Sequence, residues 1–201
     1  MLRTLLPAFL LLCCLSVPAG AASVQVKVQD SAGRAVPDAV VYLESREAKA
    51  ASKAAKGAEI AQVNKEFTPK VTVLTVGTSV QFPNRDTVRH HVYSFSPTKT
   101  FELKLYAGKD ASPVQFDRPG IAVLGCNIHD NMVAWVVVVE TPYYGHAASG
   151  GSITLDNVPP GTYRLRTWHA AMAVDAPPMD QALVVPASGT SVTVGVAGVS
   201  K

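Results

Sequence analysis

From Ser23 onward the chain is written in short runs of β-branched and aromatic residues, each broken within a few positions by Gly, Pro, Asn or Asp. This punctuation constrains the fold more than any other feature, because a helix needs an apolar stripe sustained over about ten residues or more. Val24, Val26 and Val28 alternate with Gln25, Lys27 and Gln29, the period of a half-buried strand. Asp30-Ser31-Ala32-Gly33 then turns the chain into a second run at 39–43. Further strands are predicted at 71–76, 79–82, 91–95, 114–116, 120–124 and 133–139, then at 152–155, 162–168, 183–185 and 191–196. Gly77-Thr78, Pro83-Asn84, Ala107-Gly108 and Pro119-Gly120 separate them. The stretch 152–168 (SITL, DNVPPG, TYRLRTW) reads as two strands paired around a Pro-Gly turn. Only 47–58 (EAKAASKAAKGA) breaks the style; it is Ala/Lys-rich with no large apolar residue, and reads as a solvated linker in preference to a marginal helix. The fold class is all-β, a β-sandwich architecture.

The 201 residues permit one large domain or two small ones, and an apolar content of 48% is too high for disorder. A net charge of +3 with no basic cluster gives no footprint for nucleic acid. Residues 1–22 (MLRTLLPAFLLLCCLSVPAGAA) read as a secretory signal peptide. Arg3 supplies the positive end, 5–17 the apolar core, and Ala19-Gly20-Ala21-Ala22 the small residues of a cleavage site. Leu12 before Cys13 argues against a lipid anchor. Cleavage near Ala22 is expected, with a periplasmic product that keeps no integral membrane segment. It also removes Cys13 and Cys14, so Cys126 is the one thiol left and no intramolecular disulfide is possible.

That thiol sits in Gly125-Cys126-Asn127-Ile128-His129-Asp130-Asn131-Met132, a Cys-x2-His-x2-Met spacing between two predicted strands. The adjacent pair His90 and His91 lies upstream. One thiolate, two imidazoles and one thioether form the His2Cys set with a weak axial Met that suits an electron-transfer copper. The thiolate stabilises Cu(II) by donation and the thioether favours Cu(I), so a geometry between the two preferences keeps reorganisation small. Zinc more often takes a second cysteine or an extra histidine, and no Cys-x2-Cys pair occurs. A buried Cys, a packing Met or a solvated His pair is each the commoner case singly. Their ordered coincidence in an exported chain favours the metal.

These residues carry a resemblance to the small blue-copper cupredoxins, amicyanin among them, and to exported proteins often named methylamine utilisation proteins. It runs over about residues 59–139 and rests on 67–71 (FTPKV), 76–80 (VGTSV), Asn84-Arg85-Asp86 and the short Cys-to-Met loop. It implies a cupredoxin Greek-key sandwich with one mononuclear type 1 copper held by His90, Cys126, His129 and Met132. Counting from Asn84 and matching Val92 favour His90 over its rival His91, and adjacent strand residues face opposite sides, so one of the two reaches the metal. The sequence departs from the family in three places. His91 stands where the family has an Asn that ties the ligand loops together, Asp130-Asn131 replace Pro-Phe, and Ser94 displaces an aromatic position. The resemblance implies a one-electron carrier, not an enzyme, with His129 at the surface; a monomer is the default expectation. Its partners would be redox proteins of the dehydrogenase or cytochrome c type, met in transient complexes.

The arms 23–46 and 142–201 resemble the two halves of a small carboxypeptidase regulatory-like sandwich of transthyretin-like or Ig-like build. The cupredoxin part, 59–141, would then be inserted between its second and third strands after the 47–58 linker, since each arm alone is too short to bury a core. Such modules carry no chemistry, so a scaffold or docking role is expected. His146, His169, Met172 and Met179 could mark a second copper spot, but side chains on an Ala/Pro-rich loop are the simpler reading. No Gly-x-Ser-x-Gly, His-Glu-x-x-His, phosphate-binding loop or paired-carboxylate motif occurs, which excludes the common hydrolytic and nucleotide-dependent classes. Two other readings stand beside electron transfer: copper binding for delivery or storage, and a mononuclear copper enzyme, which Met132 disfavours by closing the axial position.

Overall fold

A computed structural model describes residues 20–108, 112–173 and 176–199; most of the expected signal segment, with Cys13 and Cys14, lies outside the described residues. The first arm gives β1 (Ala22–Gln29), β2 (Val40–Glu44) and α1 (Arg46–Ala51). The centre gives β3 (Ala58–Glu59), β4 (Ala61–Val63), β5 (Glu66–Thr68), β6 (Val71–Thr75), β7 (Thr78–Gln81), β8 (His90–Ser96), β9 (Lys99–Tyr106), β10 (Val114–Phe116), β11 (Gly120–Gly125) and β12 (Val133–Val139). The last arm gives β13 (Tyr144–His146), β14 (Ser152–Val158), β15 (Gly161–Trp168), β16 (Met179–Val185) and β17 (Thr190–Gly195). The described residues are all-β apart from one helix of 6 residues.

In the centre, a five-stranded sheet ordered β6-β12-β11-β8-β9 faces a three-stranded sheet ordered β10-β7-β3. Their inner faces enclose one apolar core that includes Phe67, Leu74, Val80, Phe82, Val92, Phe116, Leu124 and Val136. The β4–β5 hairpin closes one side. Its two-residue turn, Asn64-Lys65, has both φ angles positive, 54° and 60°, as the tightest hairpin turn requires.

The two arms share a second pair of sheets, β14-β1-β17 and β13-β2-β15-β16. First-arm strands hold inner positions in both. β1 lies between β14 (antiparallel) and β17 (parallel), and β2 pairs with β15 from Arg164↔Glu44 to Trp168↔Val40. The chain leaves β2 at Glu44 and returns beside it: Leu43 N donates to Tyr143 O at 3.0 Å and Tyr144 stands opposite Tyr42. β12 explains how the two sandwiches adhere. Its sequence VAWVVVV does not alternate because both of its faces are buried. Ala134, Val136 and Val138 enter the central core, while Val137 and Val139 enter the core of the arms. Trp135 packs against Trp168 across the seam, with ring centroids 6.4 Å apart and planes tilted by 54°.

Three local expectations change. The 152–168 segment is not a hairpin: β14 pairs with β1 and β15 with β2 and β16, in different sheets. Pro159 and Pro160, having no N–H to give a ladder, carry the chain from one sheet to the other. The linker begins as a helix, because Ser45 caps it by accepting from Ala48 N at 3.0 Å and Ala48 finds a buried place. β9 was not among the predicted strands; it is an edge strand that pairs with β8 alone.

Candidate metal centre

His90 opens β8, Cys126 follows the last residue of β11, and the loop from Cys126 to Met132 leads into β12. Strand pairing of β8, β11 and β12 therefore draws two sequence-distant segments to one end of the sandwich. One donor atom from each of His90, Cys126 and His129 lies within 4.8 Å of the others, and no other group of three His, Cys, Asp or Glu donors gathers among the described residues. The rings of His90 and His129 meet edge to face at 5.0 Å. Met132, 1% exposed, sits at the end of the same loop, and its N–H donates to His129 O at 2.9 Å.

Asp86 fixes which ring nitrogen of His90 acts as a hydrogen-bond donor. The His90 Nε2 lies 2.7 Å from Asp86 Oδ2. Burial pushes the Asp86 carboxyl up, but bonds from the Lys65 amide, His90 and the Asn64 amide outweigh it and hold the group below its ordinary value. An ionised carboxylate only accepts, so Nε2–H is the donor of this bond and Nδ1 is the ring nitrogen left to meet a metal. That Nδ1 is buried without a hydrogen-bond partner, as is Nδ1 of His129. Two orphaned imidazole nitrogens beside a buried thiol are costly in a metal-free interior and are the lone pairs a metal takes up. The donors present fit a soft, small transition metal of the copper type.

Asp86 is itself held. Its carboxylate accepts from Asn64 N at 2.6 Å and Lys65 N at 2.8 Å, the two amides of the β4–β5 turn. Asn84 shapes the approach to His90: its amide donates to Val88 O and Tyr106 O at 2.8 and 2.9 Å, and its Oδ1 accepts from Asp86 N. Behind the site, Gln62 Nε2 donates to Phe82 O and to the Tyr106 hydroxyl, which in turn donates to Phe82 O. Burial pushes the Tyr106 hydroxyl up to about 12 against the pull of the Gln62 bond, with the nearby Cys126 thiol adding to the rise. Asn84 and Asp86 thus brace the approach to His90, and their hydrogen bonds stay on that side of the site. Asp86 stands four residues before His90, a spacing visible in the sequence whose meaning depends on the hairpin turn packing above it.

His91 faces the other way. Its ring packs 5.5 Å from Tyr93, and its Nε2 comes within 2.9 Å of Glu102 Oε1 but off the line of a hydrogen bond, so neither ring nitrogen is satisfied. It does not join the donor group of His90, Cys126 and His129. The second spot does not assemble. His169 Nδ1 already accepts from Ala171 N at 3.1 Å, and Met172 is buried, with its sulfur accepting from His169 N. His146 and Met179 are exposed.

No protein-family model matches the chain, and no curated protein matches it. Solved structures do. A copper-containing nitrite reductase (NirK) from Thermus scotoductus SA-01 is 25% identical, with a TM-score of 0.39, over 44% of this chain and 24% of the reductase. A novel purple cupredoxin from Nitrosopumilus maritimus is 23% identical, with a TM-score of 0.37, over 41% of this chain and 99% of its own. A reduced amicyanin variant is 22% identical, with a TM-score of 0.38, over 51% of this chain and 99% of its own. The chain thus spans about a quarter of the nitrite reductase, whose 24% coverage leaves most of that protein unmatched. In the central sandwich the sheet ends bring the histidine that opens β8 to a cysteine and a histidine of the β11–β12 loop. Among the described residues, no helix is long and apolar enough to cross a membrane.

Proposed function

We propose that the protein is an exported type 1 copper protein that carries single electrons between redox partners. The reading rests on one observation: donor atoms of His90, Cys126 and His129 lie within 4.8 Å of one another, with both histidine Nδ1 atoms buried and unpartnered. In this reading His90 and His129 hold the metal through Nδ1, Cys126 through its thiolate and Met132 through its thioether. Bound copper supplies a one-electron Cu(II)/Cu(I) couple. The chain fixes its donors before the metal arrives, and Asp86 orients His90 through the proton on Nε2. Cys126 and Met132 are buried, whereas His129 is half-buried and its neighbour Ile128 is 47% exposed. His129 is therefore the donor closest to a docked partner and the port for the electron. A dehydrogenase or cytochrome c type protein in the periplasm is the fitting partner, joined through a small, salt-sensitive contact. Nothing in this role requires substrate at the metal, so the protein is read as a carrier and not an enzyme.

The test is to load the mature chain with Cu(II) and record its visible spectrum. An intense thiolate-to-copper band that is lost in Cys126→Ala is expected. A colourless protein that retains zinc in preference to copper would overturn the proposal.

A further inference from the structure

Among the described residues, the long strands that end a sheet are β9, β14, β16 and β17. An edge strand presents a row of unpaired N–H and C=O groups, and proteins guard such rows with charges, bulges and prolines. β9 carries Lys99, Glu102 and Lys104, and a bulge breaks its ladder with β8. β14 shifts register against β1, and it carries Asp156 and the left-handed Asn157, whose φ is 58°. β17 turns only Ser191, Thr193 and Gly195 fully to solvent.

β16 has none of these guards. Its 7 residues, MDQALVV, pair with β15 without a break from Thr167↔Met179 to Gly161↔Val185. Its one charged residue, Asp180, is drawn back to Arg164 and Arg166 on β15. Met179 is 40% exposed and Val184 68% exposed, so the bare edge is also apolar. Pro178 stands immediately before the strand and Pro186 immediately after it, at equal distances from Ala182.

We propose that β16 is the contact of a two-fold dimer, in which it pairs antiparallel with β16 of a second copy about Ala182. The prolines argue for a second copy over a foreign strand, because only a strand that meets its own reverse needs both ends bounded alike. A two-fold axis through the joined sheet keeps like faces together, so the pair must be centred on a residue. Centred on Ala182, the whole strand pairs, and each Pro178 falls opposite the second copy's Pro186, outside the ladder. Centring on Gln181 or Leu183 instead would force a proline into the ladder, where it has no N–H to give. In the Ala182 register Asp180 faces Val184 of the second copy and not another Asp180, so no like charges meet. Exposed Met179 faces Val185, and Gln181 faces Leu183. The two four-stranded sheets become one of eight strands. No residue of the donor group lies on β15 or β16, so the end that carries His129 stays open. The dimer replaces the monomer expected by default.

The proposal stands apart from the copper reading and is tested on the metal-free mature chain. Sedimentation velocity should show a monomer–dimer equilibrium with a Kd in the micromolar range, as fits a small interface. Ala182 is exposed, so a charge there leaves the fold intact, which far-UV circular dichroism checks. Ala182→Lys and Ala182→Glu each set like charges opposite one another at the centre, and each should weaken the dimer about fivefold or more. An equimolar mixture of the two variants should associate more tightly than either alone, because opposite charges then meet. Under mild oxidation Ala182→Cys should cross-link across the two-fold, whereas Thr100→Cys on the guarded β9 edge should not; Cys126 is buried in both. A parent that stays monomeric up to about 1 mM, the weak end of association, overturns the self-pairing and leaves the edge to an extended strand of another protein. A dimer that neither charge variant weakens, or a mixture no tighter than its components, overturns β16 as the contact.

Discussion

Replacing Asp86 with alanine isolates the part of the donor set that is fixed before any metal binds. His90 is fully buried, and Asp86 is the partner of its Nε2–H at 2.7 Å. Removing the carboxylate leaves that N–H buried and unpaired, a cost of about 1–3 kcal/mol, and removes a charge-assisted bond of the stronger kind. The turn amides of Asn64 and Lys65 also lose their acceptor, but both residues are exposed and water replaces it. The loss therefore falls on the imidazole, whose orientation and proton position are no longer set. Loss of such an orienting partner lowers metal affinity by about 10–100-fold, or about 1.4–2.7 kcal/mol, which matches the range reached from the buried N–H. Competition of the protein with a chromophoric chelator for Cu(II) measures this directly, and a denaturant melt of the metal-free protein separates folding from binding. Asp86→Asn, which keeps an acceptor oxygen, should recover part of the affinity. Undiminished copper affinity in Asp86→Ala would refute the reasoning and reduce Asp86 to a clamp on the β4–β5 turn.

Two further outcomes follow from the fold. Trp168→Ala removes a side chain 3% exposed that packs against Trp135 across the seam, and should cost about 3–5 kcal/mol in a urea melt while preserving the thiolate band of the folded protein. A loss below about 1 kcal/mol would mean that the seam is not a packed core. The Asp30 carboxyl is held below its ordinary 3.8, chiefly by the Arg34 amide and against the pull of burial. Because the folded value is depressed, its stabilisation is present above pH 3.8 and lost as pH falls through the folded value. Asp30→Asn should therefore melt lower than the parent at neutral pH and converge with it in acid; parallel curves across that window would contradict the assignment.

Much of the candidate donor group was legible because its residues are local in sequence. Cys126, His129 and Met132 share one loop, and strand alternation alone says that His90 and His91 must face opposite ways. Which of the two faces inward depends on pairing, and a bulge between His90 and Val92 in the β8–β9 ladder adjusts it. Asp86 was quoted only as part of a motif, since its role is created by a turn 22 residues earlier in the chain that folds over it. The misread hairpin at 152–168 shows the same limit. Strand, turn and strand in sequence look alike whether the second strand pairs with the first or crosses to the facing sheet, and partners 120 or more residues away decide it.

The run VAWVVVV held more than a strand. An antiparallel strand with one wet face alternates; a run of seven without a polar residue must be covered on both sides. One side is the core behind the donor group, and the other is the sandwich built by the arms. The loop carrying Cys126, His129 and Met132 leads straight into this strand. Its far end is thereby fastened in two cores at once, through Ala134 on one face and Trp135 on the other. A donor loop anchored in this way cannot shift its methionine end without disturbing both packings. That gives the arms a physical role at the centre, one of restraint, although no arm residue joins the donor group.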